Sequence, residues 1–421
     1  MSAIPKNPDV IVIGAGVAGL AAAKALLEAR MEPLVLEASG HIGGRCVTDN
    51  TSFSVPFDLG ASWLHSASIN PLARLAEKTG ARLHKAPWKH TRVHALGHNL
   101  SEKEVADYQL YQRELWRAVR AAGQNVQDET TASAMPDGPF VSTAWHSIPQ
   151  MLGADADLTS AQDASNYADS EGDWLVEGGL GNFLGNLHRD VPVELNCPVT
   201  KIDYSGPRVR VVTPRGTVEA RKLVLTVSTG VLAAGNIRFT PQLPNSKLDA
   251  IHMLPNGLLN KIGIEFLPTW TQAVQGQMAD YHSGDNEFCS LLFGFFGTSL
   301  ATGFVAGRFA DELEQAGPNA AIDYCMEALR SFFGNDINKS ILRTGQTSWR
   351  SNSHALGSYS YARPGGTWAR CALAEPIGNK IIFAGEATMS NSYSTVHGAY
   401  LSGKEAASQV VGERCAHEPM G

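Results

Sequence analysis

Residues 10–20 read VIVIGAGVAGL, and their pattern determines how the amino-terminal part of the chain folds. The apolar run before the first glycine predicts a strand over residues 9–13, and the residues after the second glycine predict a helix over about residues 17–29. A second apolar run at residues 33–36 predicts another strand. Together they form a strand, helix, strand unit of an α/β fold.

Three glycines lie where the first strand meets the helix, in the spacing Gly14-x-Gly16-x-x-Gly19. Gly14 permits a tight turn, Gly16 allows a pyrophosphate to approach the backbone, and Gly19 allows the helix to pack closely on the strand. The helix amino terminus adds free N–H donors. Glu37 ends the second strand, where its carboxylate would accept hydrogen bonds from ribose hydroxyls. These residues predict a dinucleotide site, and they fit NAD and FAD equally well.

Composition limits the other classes of function. Of the 421 residues 43% are hydrophobic, which is enough for the cores of two or three domains. With 18% charged residues and a net charge of -7, the surface does not suit nucleic acid and weakly favours a cationic small molecule. The six cysteines form no CxxC pair or Cys/His cluster, so we expect reduced thiols, no metal site and a cytoplasmic protein. The first apolar run belongs to the glycine motif, so we expect no signal peptide.

Residues 288–307 carry no charge over the length of a membrane span. The segment contains four glycines and four hydroxyl residues, and it divides naturally into two strands around residues 297–299. We therefore predict a buried β-hairpin here and no contact with a membrane.

Weaker patterns predict the other elements. Residues 193–227 alternate in polarity around a turn at residues 214–216, and they predict a β-meander whose last strand ends at residues 223–225. Asn70 and Pro71 predict the start of a helix that ends at Gly80. A strand over residues 262–266, an amphipathic helix over 319–333, a strand over 380–384 and a helix from about Val396 are also predicted.

Four motifs carry a family resemblance. They are GGR at residues 43–45, FDLGASW at 57–63, FAGEAT at 383–388 and STVHGAYLSG at 394–403. In these the sequence resembles the flavin-containing amine oxidases, a family that includes monoamine oxidases, polyamine oxidases and flavin-dependent histone demethylases. The resemblance covers the two ends best, then residues 197–232 and the strand at Lys261, and it hardly extends to residues 81–175.

The resemblance implies that the dinucleotide is FAD. The glycine pair and Arg45 would run past the pyrophosphate and flavin, Glu386 would bind the ribityl chain, and the helix from Val396 would direct its N–H groups at the flavin ring. His41 stands where the family often has a second arginine, so phosphate neutralisation would depend more on Arg45 and the helix dipole. The implied FAD contacts are Gly14, Gly16, Gly19, Glu37, Gly43, Gly44, Arg45, Gly60, Ala61, Ser62, Trp63, Val199, Gly385, Glu386, Thr395 and Val396.

The same resemblance implies the catalytic residues Lys261, Trp349, Tyr359 and Thr395. Lys261 matches a lysine that holds a water against flavin N5, although strand alternation with Glu265 would equally predict a half-exposed lysine. Tyr359 forms one aromatic wall, and Thr395 stands where monoamine oxidases have the opposite ring. Ser358 replaces the cysteine that those enzymes bond to the flavin, so the FAD should be non-covalent. His397, in the first turn of its helix, is expected to be structural.

These predictions combine into an α/β architecture of two discontinuous domains. A Rossmann-like FAD-binding domain, with the βαβ unit and the β-meander, is predicted from residues 1–80, 190–235 and 345–421. It is interwoven with an α+β substrate-binding domain of residues 81–189 and 236–344. The implied reaction transfers a hydride from the carbon next to an amine nitrogen to flavin N5; the imine is hydrolysed to an aldehyde, and O2 reoxidises the flavin to give H2O2.

Substrate and assembly are less determined by the sequence. A polyamine or another primary or secondary amine is expected, and Glu171, Asp173 and Glu177 are candidates to anchor a distal ammonium. One alternative is a related flavoprotein that acts on carbon alone, such as a desaturase or isomerase. Another is a non-catalytic protein in which FAD braces an interaction surface. The sequence leaves the oligomeric state open, with a homodimer among the options.

Overall fold

A five-stranded parallel sheet forms the centre of the first layer of the fold. The structure is a computed structural model that describes residues 8–85, 89–170, 172–284 and 287–412. The strands of this sheet, in spatial order, are Val193–Glu194, Pro33–Leu36, Val10–Ile13, Lys222–Leu225 and Ile381–Phe383. The predicted strand, helix, strand unit is confirmed, with its helix at Val17–Glu28.

Both faces of the parallel sheet are buried, which explains why its strands are continuous apolar runs. Val10 and Val12 point to one face, where helices Val17–Glu28 and Val396–Val411 cover them. These helices approach so closely that a Cβ on Gly403 would lie 2.1 Å from the carbonyl oxygen of Ala18. Ile11 and Ile13 point to the other face and pack in a separate apolar core.

A four-stranded sheet lies next in the chain, but it differs from the predicted meander at one strand. Its strands, in spatial order, are Gly216–Ala220, Val209–Thr213, Lys201–Asp203 and Arg238–Thr240. The predicted last strand of the meander, Lys222–Leu225, instead pairs in parallel with Val10–Ile13. The reason is that its apolar residues are buried on both faces, as a central parallel strand requires, whereas Val209–Thr213 alternates.

A seven-stranded mixed sheet carries the other half of the molecule. Its strands, in spatial order, are Ile341–Gln346, Leu259–Phe266, Leu300–Ala306, Glu287–Phe293, Gln277–Gly284, Lys89–Ala95 and His98–Asn99. Glu287–Phe293 and Leu300–Ala306 form the predicted antiparallel hairpin. The predicted amphipathic helix, Ala320–Phe333, packs on one apolar face of this sheet. Within the described ranges, no helix is long and apolar enough to cross a membrane.

The α/β class with a Rossmann-like domain is confirmed, and the division of the chain into two domains at the stated boundaries stays a prediction.

Among the described residues, the remaining elements are helices and two small sheets. The helix predicted at Asn70 is present, because the Asn70 side chain accepts a hydrogen bond from the Leu72 N–H. The small sheets are Thr48–Asp49 with Phe57–Asp58, and Trp63–Leu64 with Trp174–Val176 and Leu83–His84. The other α-helices are Pro71–Lys78, Glu102–Ala122, Val141–Leu152, Ala161–Asn166, Leu180–Leu187, Thr229–Ala233, Asn245–Met253, Pro268–Thr271, Gly307–Ala316 and Trp368–Ala374.

Candidate active site

Each of the three glycines in the first loop is required for a different structural reason. Gly14 has a φ of +98°, and a Cβ there would lie 2.6 Å from Oγ1 of Thr226. A Cβ on Gly19 would lie 1.9 Å from the carbonyl oxygen of Gly14. Gly16 has a φ of -69°, and among the described residues the nearest atom to its Cβ would be the Gly43 oxygen at 4.0 Å. Gly14 and Gly19 therefore serve the turn itself, whereas Gly16 leaves open space at a helix amino terminus, which fits a pyrophosphate.

The GGR turn lies directly against this loop. The N–H of Gly43 donates to the carbonyl oxygen of Ala15 over 2.8 Å, and Gly16 and Gly43 form a parallel β-bridge. Gly44 has a φ of +57°, and a Cβ there would lie 3.3 Å from the Gly16 Cα. The two glycine motifs thus form one continuous backbone surface, and Arg45 follows immediately beside it.

Glu37 fastens the glycine loop to the second strand. Its carboxylate is buried and accepts hydrogen bonds from the N–H of Ala15 over 2.7 Å and of Ser39 over 2.8 Å. Each carboxylate oxygen has a further lone pair, so both bonds are compatible with the predicted contact to ribose hydroxyls. Val199 is buried in the apolar core beneath the sheet, and its predicted adenine contact stays a prediction.

Arg45 and Glu386 join the two ends of the chain at the site. Nη1 of Arg45 donates to Oε1 of Glu386 over 2.9 Å and to the carbonyl oxygen of Ser358 over 2.6 Å. Oε2 of Glu386 accepts from Oγ of Ser360 over 2.7 Å and from the N–H of Ser394 over 3.0 Å. Burial raises the pKa of Glu386, but the Arg45 guanidinium and the Ser360 bond outweigh burial and hold the pKa below its ordinary value. Glu386 is therefore an anion with a fixed orientation.

Thr395 caps the last helix. Its Oγ1 donates to the carbonyl oxygen of Ser392 over 2.6 Å and accepts from the N–H of Gly398 over 2.9 Å. Because the hydroxyl is committed to the cap, Thr395 positions the amino terminus of Val396–Val411; a direct part in catalysis stays a prediction. His397 is buried, and burial with the nearby His65 lowers its pKa to about 4 despite Asp173. A neutral, buried His397 agrees with the expected structural role.

Lys261 is buried, so the alternative of a half-exposed strand is wrong. Only 2% of Lys261 and 3% of Glu265 is exposed. Nζ of Lys261 donates to Oγ of Ser62 over 2.5 Å and to the carbonyl oxygen of Asp58 over 3.1 Å. Burial lowers the pKa of Lys261 to about 8, against the opposing charge of Asp58. The alternating pattern of the strand could not reveal that Lys261 is buried. Segment 57–63 covers the strand face that carries Lys261 and that would otherwise face solvent.

Two aromatic rings and Trp349 complete the surroundings of this lysine. Nζ of Lys261 lies 5.5 Å from the ring centroid of Trp63 and 5.8 Å from that of Phe304. Nε1 of Trp349 donates to the carbonyl oxygen of Leu59 over 3.2 Å. A Cβ on Gly60 would lie 1.9 Å from the Arg45 carbonyl oxygen. The structure thus brings the segment 57–63, Lys261, Trp349 and Arg45 together, and their contacts with FAD stay predictions.

Tyr359 packs against the end of helix Val141–Leu152 and the glycine that follows it. Its hydroxyl donates to the carbonyl oxygen of Gln150 over 2.8 Å, and a Cβ on Gly153 would lie 2.8 Å from its ring. Sequence reasoning missed a pair of aromatic rings, those of Tyr167 and Tyr393, whose centroids lie 5.6 Å apart. It also missed a buried ion pair between Arg370 and Asp163. The one feature of the sequence that could have indicated this pair is the arginine in the otherwise apolar segment Trp368–Ala374.

The glycine loop and the acid on the second strand form a dinucleotide site, and a buried lysine lies against segment 57–63. Comparison with known proteins identifies the class as a flavin-dependent oxidoreductase. A family model described as flavin containing amine oxidoreductase matches residues 17–155 and 142–411. The chain therefore belongs to the flavin containing amine oxidoreductase family. It is a flavin-dependent amine oxidase, and FAD is its cofactor.

Similar proteins agree with this assignment. Polyamine oxidase 4 of Oryza sativa subsp. japonica is 31% identical over 436 residues, covering 96% of this chain and 88% of the relative. Lysine-specific histone demethylase 1 homolog 3 of the same rice is 31% identical over 450 residues, but the chain spans only 55% of it. The structure of cyclohexylamine oxidase from Brevibacterium oxydans IH-35A has a TM-score of 0.81 at 23% identity, covering 97% of this chain and 99% of that chain. A putrescine oxidase bound to putrescine has a TM-score of 0.80 at 19% identity with the same coverage, so both structures show the shared fold.

The flavin is expected to leave the protein on denaturation. Ser358 offers no thiol for a covalent bond to the flavin. Cys46 follows Arg45 in the chain, but burial raises the pKa of its thiol well above the ordinary value, which makes the thiol a poor nucleophile. Acid precipitation should therefore leave a yellow supernatant and a colourless pellet, measured by absorbance. A yellow pellet would show a covalent link and contradict the prediction.

Proposed function

We propose that this enzyme oxidises a primary or secondary amine, with polyamines among its substrates, at the carbon bonded to nitrogen. The observation that carries the proposal is the buried Lys261, whose pKa is lowered to about 8 beside two aromatic rings. The names of similar proteins, which include polyamine, putrescine and cyclohexylamine oxidases, support this substrate class. The cytoplasmic location and H2O2 as product remain part of the same proposal.

The side chains of Trp63, Phe304 and Lys261 suit an amine that reacts in its neutral form. Bound FAD supplies the hydride acceptor, and the nitrogen lone pair of a neutral amine stabilises the developing cation. The rings of Trp63 and Phe304, whose centroids lie 5.5 Å apart, would present apolar surface to an amine bound beside Lys261, and such a surface favours the uncharged form. With a pKa of about 8, Nζ of Lys261 can exchange a proton near neutral pH or hold the water that hydrolyses the imine.

A panel of amines tests this proposal. The holoprotein is mixed with monoamines, diamines and polyamines in air, and peroxide release is measured; the same amines are then added without oxygen, and flavin bleaching is followed. Peroxide release with at least one amine is expected. Bleaching without peroxide would indicate a different electron acceptor. Absence of bleaching with every amine would overturn the proposal and favour a carbon-acting flavoprotein or a non-catalytic protein.

The rate should rise with pH because an ammonium has no lone pair to support hydride departure. As pH rises, the substrate nitrogen loses its proton, and kcat/KM should climb to an inflection that moves with the pKa of the amine. Rising pH also removes the proton from Lys261, so a second inflection near pH 8 should stay fixed for all amines and disappear in Lys261→Met. Profiles that coincide for amines of very different basicity would contradict this.

Asp173 is the best placed of the three acids that could anchor a distal ammonium. Its Oδ1 accepts from Nδ1 of His65 over 2.9 Å, and His65 stacks on Trp63 with ring centroids 6.0 Å apart. Burial raises the pKa of Asp173, but the His65 bond outweighs burial, so the carboxyl stays ionised. Glu177 instead pairs with Arg82 at the surface, and Glu171 lies outside the described residues.

Asp173→Asn should therefore weaken the use of diamines and polyamines selectively. A lost charge-assisted hydrogen bond of about 1.5–3 kcal/mol would raise KM about tenfold or more for these substrates and leave monoamines nearly unchanged. Steady-state kinetics with diamines and monoamines of matched length measure the difference. Glu177→Gln is the matched control and should behave like wild type. An equal effect of Asp173→Asn on both substrate classes would show that Asp173 has only a structural role.

A further inference from the structure

We propose that Arg370, held by Asp163, is a positioning residue that fixes the carboxylate of Glu386 for FAD binding. Arg370 has no exposed surface and lies in the short helix Trp368–Ala374. Nε of Arg370 donates to Oδ1 of Asp163, and Nη2 donates to Oδ2, both over 2.7 Å. This geometry uses two of the three guanidinium nitrogens on one carboxylate, which neutralises the buried charge.

The third guanidinium nitrogen points to the cofactor site. Nη1 of Arg370 donates to Oγ of Ser360 over 3.1 Å, and Oγ of Ser360 donates to Oε2 of Glu386 over 2.7 Å. Because Arg370 can only donate, the Ser360 oxygen must accept from it, and the hydroxyl proton is directed at Glu386. Arg370 and the ionised Glu386 thus both require the Ser360 hydroxyl to donate to Glu386, and Arg370 holds the Ser360 oxygen in place for that bond. On its other side Glu386 accepts from Arg45, so the buried carboxylate is fixed from two directions.

A second set of contacts fixes the backbone beside Glu386. The Arg370 guanidinium lies 3.8 Å from the ring centroid of Tyr393, and the Tyr393 hydroxyl donates to the Asp163 carbonyl oxygen over 2.7 Å. The next residue, Ser394, donates its N–H to Oε2 of Glu386. Side chain and backbone contacts from the Asp163 and Arg370 pair therefore both end at the same carboxylate.

A pair that served stability alone would behave differently when replaced. Removing one partner leaves an uncompensated buried charge, whereas replacing both by apolar residues of similar volume is often tolerated. If the pair only stabilises the fold, the double replacement should recover FAD binding together with stability. If Arg370 positions Glu386, stability should recover while FAD binding remains weak. The inference depends on FAD being the cofactor and not on the identity of the amine.

The experiment compares Asp163→Leu, Arg370→Met, their double variant and Ser360→Ala. Thermal unfolding reports stability, and the fluorescence of FAD released when the holoprotein is diluted gives Kd. Each single variant should lose stability, and the double variant should recover most of it while its Kd for FAD stays about tenfold or more above wild type. Ser360→Ala should keep the ion pair, lose less stability than either charge variant, and raise the Kd by a similar factor.

Ser392→Ala is the matched control, because Ser392 is also a buried serine and its Oγ has no hydrogen-bond partner among the described residues. It should bind FAD like wild type. The visible spectrum of the bound flavin gives a second readout, which should shift in Ser360→Ala and stay unchanged in Ser392→Ala. If the double variant does not fold, the Kd of Ser360→Ala for FAD tests the proposal by itself. A wild-type Kd in the double variant or in Ser360→Ala would overturn the proposal, as would an equal loss in Ser392→Ala.

Discussion

Gly16→Ala is expected to yield a folded protein that binds FAD at least about a hundredfold more weakly than wild type, from the loss of two or more charge-assisted bonds to the pyrophosphate. Gly16 has a φ of -69°, which alanine adopts freely. Apart from the backbone next to it in the chain, the new methyl group would meet no described protein atom closer than the Gly43 oxygen at 4.0 Å. It would instead occupy the space at the helix amino terminus that the glycine loop leaves open for the pyrophosphate.

Two other glycine variants make this prediction specific. Gly206→Ala is the matched control, since its Cβ would also lie in open space, 3.9 Å from the Arg208 carbonyl oxygen, and far in sequence from the loop. It should bind FAD like wild type. Gly19→Ala should lose stability as well as FAD, because its Cβ would lie 1.9 Å from a backbone oxygen. Thermal unfolding and FAD titration of all three variants separate the cases, and a Gly16→Ala protein with wild-type affinity would show that no phosphate lies there.

The parts of the fold that the sequence predicted correctly depend on local physics. The glycine loop, the cap at Asn70 and the hairpin of residues 288–307 each follow from residues that contact one another within a short segment. The Lys222–Leu225 strand shows the limit of such reasoning. Its apolar run predicts a strand, but the partner strand Val10–Ile13 is distant in sequence, so the choice of sheet was wrong.

What the sequence did not show about the site depends on distant contacts. The resemblance named Lys261 as a catalytic candidate, but strand alternation alone would predict a half-exposed residue; the packing of segment 57–63 buries it and lowers its pKa. Asp163 lies within residues 81–175, to which the family resemblance hardly extends, yet it pairs with Arg370 near the other end of the chain. A charged residue in an apolar segment suggests a buried partner, but it does not indicate which of the acids provides it.

Lys261→Met is expected to retain FAD and to lower turnover about tenfold or more. Nζ donates to Ser62 and Asp58 in segment 57–63, whereas the glycine loop, Glu37 and Arg45, which are expected to hold most of the FAD, have other hydrogen-bond partners. The methionine fills a similar volume, so the strand Leu259–Phe266 should stay packed. What disappears is a group whose pKa of about 8 lets it exchange a proton near neutral pH. Stopped-flow measurements locate the loss in amine-driven bleaching or in reoxidation by O2.

Lys247→Met is the matched control for this experiment. Lys247 is also buried, burial lowers its pKa to about 8, and its Nζ donates to the carbonyl oxygens of Ala372 and Leu373 at a helix end. Its replacement should lower the unfolding temperature and leave turnover per bound flavin close to wild type, since it removes the same chemical group from outside the site. If Lys261→Met instead shows wild-type rates in both half-reactions, its buried amine has no catalytic part. The lowered pKa would then reflect only the packing of segment 57–63 over the strand.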